Sequence, residues 1–68
     1  MKLSIKIDLD NAAFEADGQT ARFRNGAEPA RILRRLAAGM AEDTLEAGEA
    51  YSLFDINGHK VGEAKVTR

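Results

Sequence analysis

The sequence predicts a small α+β domain in which one helix packs on one face of a three-stranded antiparallel sheet, in the order β-α-β-β. Residues 2–9 alternate apolar and polar side chains, residues 29–42 carry a single apolar stripe at helical spacing, and Asn57-Gly58 separates two β-like runs at 49–56 and 59–67. A right-handed crossover through the helix makes the first two strands parallel. The third strand is therefore expected between them, in the order 2-3-1.

The first strand is predicted from strict alternation. One side carries Leu3, Ile5, Ile7 and Leu9, and the other carries Lys2, Ser4, Lys6 and Asp8. This period of two is typical of a strand with one buried face. Asp10 and Asn11 end it, because both favour turns through local side-chain to backbone hydrogen bonds.

Residues 12–26 allow two interpretations. Asp17-Gly18 fits the two-residue loop of a hairpin whose arms carry Phe14 and Phe23, because such a turn needs positive φ angles. The other interpretation is an ordered loop anchored by Phe14. We favour the loop, or a short hairpin, closed by Asn25-Gly26.

The helix is predicted over residues 29–42, with a stripe formed by Ile32, Leu33, Leu36, Ala37 and Met40. Asn25 and Glu28 resemble a capping box, but that start puts Pro29 at the fourth helical position, where an N–H donor is needed. A start with Pro29 in the first turn removes this conflict. Gly39 costs the helix about 1 kcal/mol relative to alanine, which indicates either close approach to the sheet or early fraying.

The hairpin around Asn57-Gly58 has two candidate turns. In a type I turn with a glycine bulge, Asp55 is the first residue and Gly58 takes the left-handed conformation. In a two-residue type I′ turn, Asn57 and Gly58 form the loop and Asp55 pairs with Lys60. The second register places on the core face Tyr51, Leu53, Ala64 and Val66.

The opposite face of this hairpin then carries three apolar side chains, Phe54, Ile56 and Val61. One helix covers only one side of a small sheet, so these residues are candidates for a protein contact, since exposed apolar clusters mark interaction sites. The alternative is that residues 12–26 fold over them.

No pattern for catalysis or metal binding is found. A calcium loop through Asp55 would need ligands at the positions of Leu53 and Ala64, which have none to offer. The chain has no cysteine, its single histidine is His59 beside a turn, and both common phosphate-loop frames are missing. The acidic residues between 8 and 17 are interpreted as solvated turns. We therefore predict no enzyme activity, no metal and no cofactor.

The charge distribution points to a basic surface. The net charge is −1, but residues 21–40 contain five arginines and one glutamate. The arginines are Arg22, Arg24, Arg31, Arg34 and Arg35, the last three placed on the helix face opposite the apolar stripe. This strip fits an acidic protein patch or nucleic-acid phosphate. The alternative is a solvated helix face paired with Glu42, Asp43 and Glu46 or with a second chain. Phe23 is the only aromatic residue in the block, so a protein partner is favoured over nucleic acid.

The size and hydropathy of the chain predict limited stability and no membrane-spanning segment. The 68 residues form a single domain, and a domain this small buries only about 60% of the surface of its unfolded chain. Additional burial against a partner is therefore expected, including a homodimer. The alternating N-terminus forms no signal-peptide core, and no apolar run approaches the roughly 20 residues needed to span a bilayer. We expect a cytoplasmic protein with no membrane partner.

Three segments, "IKIDLDNAAF", "ARILRRLA" and "DINGHKVGEAKV", resemble short uncharacterised accessory proteins of bacteriophages and prophages. The resemblance covers nearly the whole chain, and its most distinctive parts are the corner at residues 11–14 and the hairpin at 55–62. It is weakest at "ADGQTARFRNG", an enlarged connection before the helix. It implies no particular activity, only a context of proteins that bind host or phage proteins, including inhibitors of bacterial defence systems.

These observations predict a small non-enzymatic protein that binds a protein partner through the arginine face or through the face of Phe54, Ile56 and Val61. The alternative is a small nucleic-acid-binding regulator that uses the arginines.

Overall fold

A computed structural model describes residues 1–15 and 25–68. The described elements are strand β1 (Lys2–Ile7), a 3-10 turn (Ala12–Phe14), helix α1 (Ala27–Met40), strand β2 (Ala50–Phe54) and strand β3 (Lys60–Thr67). The three strands form one antiparallel sheet in the order β1-β3-β2. The predicted fold class and strand order are confirmed. The hairpin considered at Asp17-Gly18, together with Arg22 and Arg24, lies outside the described residues.

The hairpin between β2 and β3 combines both predicted alternatives. Its turn is the type I form: the Gly58 N–H donates to the Asp55 carbonyl at 3.0 Å, and Gly58 has a φ of 84°. No non-glycine residue among those described has a positive φ, which rules out the type I′ turn that needs one at Asn57. Further along, however, Tyr51 pairs with Ala64, as the type I′ register requires.

A β-bulge at Val61 reconciles the turn with the register. Phe54 pairs with Lys60 while Leu53 pairs with Gly62, so one additional residue of β3 lies between them. The prediction that Val61 lies on the uncovered face is therefore wrong: its side chain is 8% exposed and belongs to the core. The predicted pairing of Asp55 with Lys60 is wrong for the same reason.

Close approach of β1 to the bulge requires glycine at position 62. Gly62 pairs with Ile7, and a Cβ atom built on Gly62 would collide with the carbonyl oxygen of Lys6. The Asp8 N–H then donates to the Val61 carbonyl at 2.7 Å, which extends the contact between the two strands past the bulge.

The helix begins two residues before the predicted start. The Asn25 side chain accepts from the Ala27 N–H at 2.8 Å, and Pro29 is the third helical residue, within the first turn as predicted. Its missing N–H has no role there, because the first N–H groups of a helix have no intrahelical acceptor. The helix ends at Met40, directly after Gly39. Among the described residues outside the helix, no heavy atom lies within 4 Å of a Cβ built on Gly39, so early fraying is the better explanation of this glycine.

The core lies between α1, the 3-10 turn, β2 and β3. Phe14 is fully buried, although most of the loop that it was predicted to anchor lies outside the described residues. Asn11 positions Phe14, because its side chain accepts from the Ala13 N–H at 3.0 Å. The other buried members of this cluster are Ile32, Leu36, Leu53, Val61 and Ala64. Val66 is buried as well, and Tyr51 is half-buried.

The helix covers only part of its side of the sheet. Leu3 and Ile5 pair with Val66 and Ala64, so they share the core face, yet they are 44% and 42% exposed. The predicted helical stripe is also narrower than expected, because Leu33 and Ala37 are exposed. The described part of the chain contains no helix with the length and apolar character needed to cross a membrane.

Candidate functional site

A groove with a volume of about 610 Å³ runs between α1 and β2. Its base is formed by buried apolar residues, Ile32, Leu36 and Leu53. On the helix side the rim is formed by Arg31, Arg35 and Gly39. On the strand side it is formed by Ser52, Phe54 and Ile56. Because Gly39 has no side chain and open space beside its Cα, the groove stays wide at that point.

A buried carboxylate joins the helix to the hairpin at one end of this groove. Glu28 is 6% exposed and accepts two hydrogen bonds from the Arg31 guanidinium, at 2.7 Å from Nε and 3.1 Å from a terminal nitrogen. It also accepts the Ile56 N–H at 2.8 Å. The bonds from Arg31 lower the pKa of Glu28, burial opposes them, and the bond from Ile56 lowers it further. Glu28 is thus held as an anion that fixes Arg31 and Ile56 together.

Asp55 is a turn-forming residue. It is 3% exposed, and its Oδ1 accepts the N–H groups of Asn57 at 2.9 Å and His59 at 2.8 Å. Its Oδ2 has no hydrogen-bond partner and lies 3.4 Å from the His59 Nδ1. Burial alone would raise the pKa of Asp55, but these N–H groups and the nearby His59 outweigh it, so the pKa is lowered. Among residues 1–15 and 25–68, no three acidic or histidine side chains come together as ligands for a metal ion.

The outer edge of β2 faces the groove. A terminal nitrogen of Arg31 donates to the Phe54 carbonyl at 3.3 Å, so that carbonyl points away from β3. On the inner side, the Val66 N–H donates to the Glu49 carbonyl at 2.9 Å, and the register continues through Tyr51 and Leu53. Backbone groups of an antiparallel strand alternate between its two edges. The N–H and C=O of Ser52 therefore point outward, as those of Phe54 do.

The two edges of the sheet differ in charge. The edge strand β1 carries Lys2 and Lys6, whereas β2 reads Ala-Tyr-Ser-Leu-Phe and carries no charged residue. Lysine on an edge strand is a common means of preventing unwanted strand pairing. By this measure β1 is protected against pairing with another strand, and β2 is not.

Tyr51 is tied to the connection that follows the helix. Its hydroxyl donates to the Asp43 carboxylate at 2.7 Å. This bond, together with burial and the negative charges of Asp43 and Glu49, raises the pKa of Tyr51 to about 12. The contact fixes the end of β2 farthest from the hairpin turn.

The structure groups the candidate residues differently from the sequence prediction. Arg31 and Arg35 flank the groove, and Arg34 is exposed elsewhere on the helix, so the predicted strip on a single opposite face is divided. Phe54 and Ile56 are 50% and 69% exposed and share the groove rim with the two arginines. Sequence reasoning treated these as two separate surfaces.

The link between Glu28 and the hairpin is the part of the site that the sequence did not predict. Glu28 precedes Arg31 by three residues, a spacing that favours an ion pair on a helix, and Glu28 forms that pair. Its contact with Ile56 has no such signal, because the two residues are far apart in the chain.

No protein-family model, no curated protein and no solved structure matches this chain.

Proposed function

We propose that this protein is a non-enzymatic binding module that holds a protein partner in the groove between α1 and β2. The observation that carries the proposal is an apolar groove bordered by arginine side chains on the helix and by exposed apolar residues of β2 and the hairpin turn. Phe54 and Ile56 form one rim, and Arg35 forms the other without a hydrogen bond or ion pair to any described residue. Apolar surface rimmed by polar groups is typical of protein interaction sites.

The charge of the groove favours an acidic partner. Arg31 is compensated by Glu28, and the buried Asp55 also lines the groove. The guanidinium of Arg31 still borders the groove, and Arg35 adds a charge that has no ion pair with any residue that the structure describes. A cationic rim beside an apolar base suits a protein segment with both carboxylate and apolar side chains. Affinity for nucleic acid grows with the number of phosphates contacted. That alternative would draw on five arginines, Arg22, Arg24, Arg31, Arg34 and Arg35.

The resemblance to phage accessory proteins supports a biological setting for this binding. A small module that occupies an acidic segment of a host defence or regulatory protein would inhibit it by blocking access to that segment. Inhibition of this kind needs no catalytic residue in the module itself.

The test is capture of partners from a bacterial lysate by the immobilised protein and two matched charge reversals. Arg35→Glu changes the groove rim, whereas Arg34→Glu makes the same change one residue away and outside the groove lining. We expect Arg35→Glu to lose the captured proteins and Arg34→Glu to keep them, with or without nuclease treatment. Capture that disappears with nuclease, or that is reduced equally by both reversals, would favour the nucleic-acid alternative.

A second exposed apolar patch, on β1, supports self-association as a further proposal. Leu3 and Ile5 are on the helix side of the sheet but remain more than two-fifths exposed. We expect a homodimer in size-exclusion chromatography with light scattering, and a shift toward monomer in Ile5→Lys. A monomer at high micromolar concentration would contradict self-association and would leave the groove proposal unaffected.

A further inference from the structure

We infer that the groove takes its partner by β-strand addition, in which an extended acidic segment pairs with the outer edge of β2 beneath Arg31 and Arg35. This inference rests on the proposed function and specifies the kind of partner segment. Strand addition obtains affinity from main-chain hydrogen bonds and specificity from alternate side chains.

The backbone of β2 offers the necessary groups. Ser52 presents its N–H and C=O outward, and the outward Phe54 carbonyl is already used by Arg31. Arg31 therefore marks the end of the available edge nearest the hairpin turn. With five residues in β2 and a rise of about 3.3 Å per residue, the edge accepts a segment of about five residues.

The side chains around the edge define a pattern for that segment. Every second side chain of an added strand would face α1, where Arg31 and Arg35 favour carboxylates and Gly39 leaves room. The intervening side chains would lie on the opposite face of the sheet, beside the exposed Phe54, where apolar residues fit. The expected segment thus alternates acidic and apolar residues.

A second copy of this chain is a poorer occupant of the same edge. Pairing of β2 with β2 across a two-fold axis would bring both copies of Arg35 to the same seam, in addition to both copies of Arg31. The strand itself has no acidic residue to compensate them, since it reads Ala-Tyr-Ser-Leu-Phe. Charge complementarity therefore favours a different, acidic chain.

The inference is tested by NMR titration of the full chain with a capped seven-residue peptide of alternating glutamate and valine. We expect the amide resonances of Ser52 and Phe54 to shift at up to millimolar peptide and the Ser52 amide to exchange more slowly with solvent. The same peptide with lysine in place of glutamate should bind roughly tenfold more weakly or not at all.

Backbone methylation of the peptide separates strand addition from other modes. Only every second N–H of an added strand faces β2, so the N–H groups that pair with β2 belong either to the glutamates or to the valines. N-methylation of the residues that pair should abolish binding, whereas N-methylation of the other residue type should have little effect. Equal binding by both methylated peptides, or no shift of Ser52 with the unmodified peptide, would overturn the inference.

A matched pair of variants tests whether the natural partner also binds by strand addition. Ser52→Pro removes an outward N–H, a change that edge strands tolerate, and Ser52→Ala changes only the side chain. We expect loss of lysate capture in Ser52→Pro and retention in Ser52→Ala. Retained capture in folded Ser52→Pro, together with loss in Arg35→Glu, would overturn strand addition while leaving the proposed function standing.

Discussion

Replacing Gly39 by alanine should stabilise the protein, and the expected size of the effect follows from its position. Glycine inside a helix costs about 0.8–1.0 kcal/mol relative to alanine. Gly39 is the penultimate residue of Ala27–Met40, where fraying reduces the effect. No heavy atom from the described parts of the sheet and loops lies within 4 Å to oppose the new methyl group. We expect a gain of about 0.5–1 kcal/mol in the free energy of unfolding, a rise in Tm of about 2–8 °C for a domain of this size.

The measurement is thermal and urea unfolding followed by circular dichroism, with an unchanged urea m-value. A loss of stability in Gly39→Ala would refute the reasoning, because it would mean that another group occupies the space beside residue 39. The groove would then not be open at that point.

Gly39→Leu extends this test to binding. Leucine has nearly the helix propensity of alanine, so the variant should retain the gain in stability while its side chain extends into the groove. Ala38→Leu is the control, since Ala38 is exposed and outside the groove lining. We expect Gly39→Leu alone to weaken lysate capture, and full capture would contradict a partner seated beside the helix.

Three further predictions concern the core and its ionisable groups. Phe14→Ala should cost about 3–5 kcal/mol, comparable with the whole stability of a 68-residue domain, so its circular dichroism at 25 °C should be that of a largely unfolded chain. Tyr51 is the only tyrosine and the chain has no tryptophan, so absorbance at 295 nm should report its titration near pH 12, and Asp43→Asn should move the midpoint toward 10. Glu28 and Asp55 have lowered pKa values in the folded state, so the stability they contribute is present above the unfolded pKa near 4 and is lost as pH falls through the folded values. A urea midpoint that stays constant from pH 6 to pH 3 would contradict the last of these.

The hairpin illustrates what local sequence signals can and cannot determine. The turn residues predicted a type I turn with Gly58 in the left-handed conformation, and the apolar pattern independently predicted a core face containing Ala64 and Val66. Without the second bulge, the one at Val61, that turn would align Leu53 with Val61 and bring Glu63 and Lys65 to the core face. Charged groups would then be buried, which is unfavourable. The additional residue at Val61 satisfies both requirements, and neither pattern alone contains it.

The helix start shows a related limit. Asn25 and Glu28 have the spacing of a capping box, but the N-cap is Gly26, and the Asn25 side chain accepts only the N–H of Ala27, the first helical residue. Glu28, however, binds the Ile56 N–H instead of returning to the cap. A carboxylate chooses between local and distant donors according to where the chain brings the hairpin, and that depends on the whole fold. The β-α-β-β order was predictable from periodicity because each element has its own pattern, whereas contacts between elements were not.

The division of the arginines has a simple geometric cause that also explains the groove. Successive helix residues are separated by 100°, so Arg31 and Arg35 lie beside the stripe of Ile32 and Leu36, and only Arg34 points directly away from it. Once the helix packs against β2, residues beside the stripe become neighbours of the strand edge. The pairing of Arg31 with Glu28 then fixes one cation against the Phe54 carbonyl, while Arg35 has no hydrogen bond or ion pair with residues 1–15 or 25–68. The selectivity of the groove for acidic segments should accordingly depend mainly on Arg35, while Arg31 sets where an added strand must end.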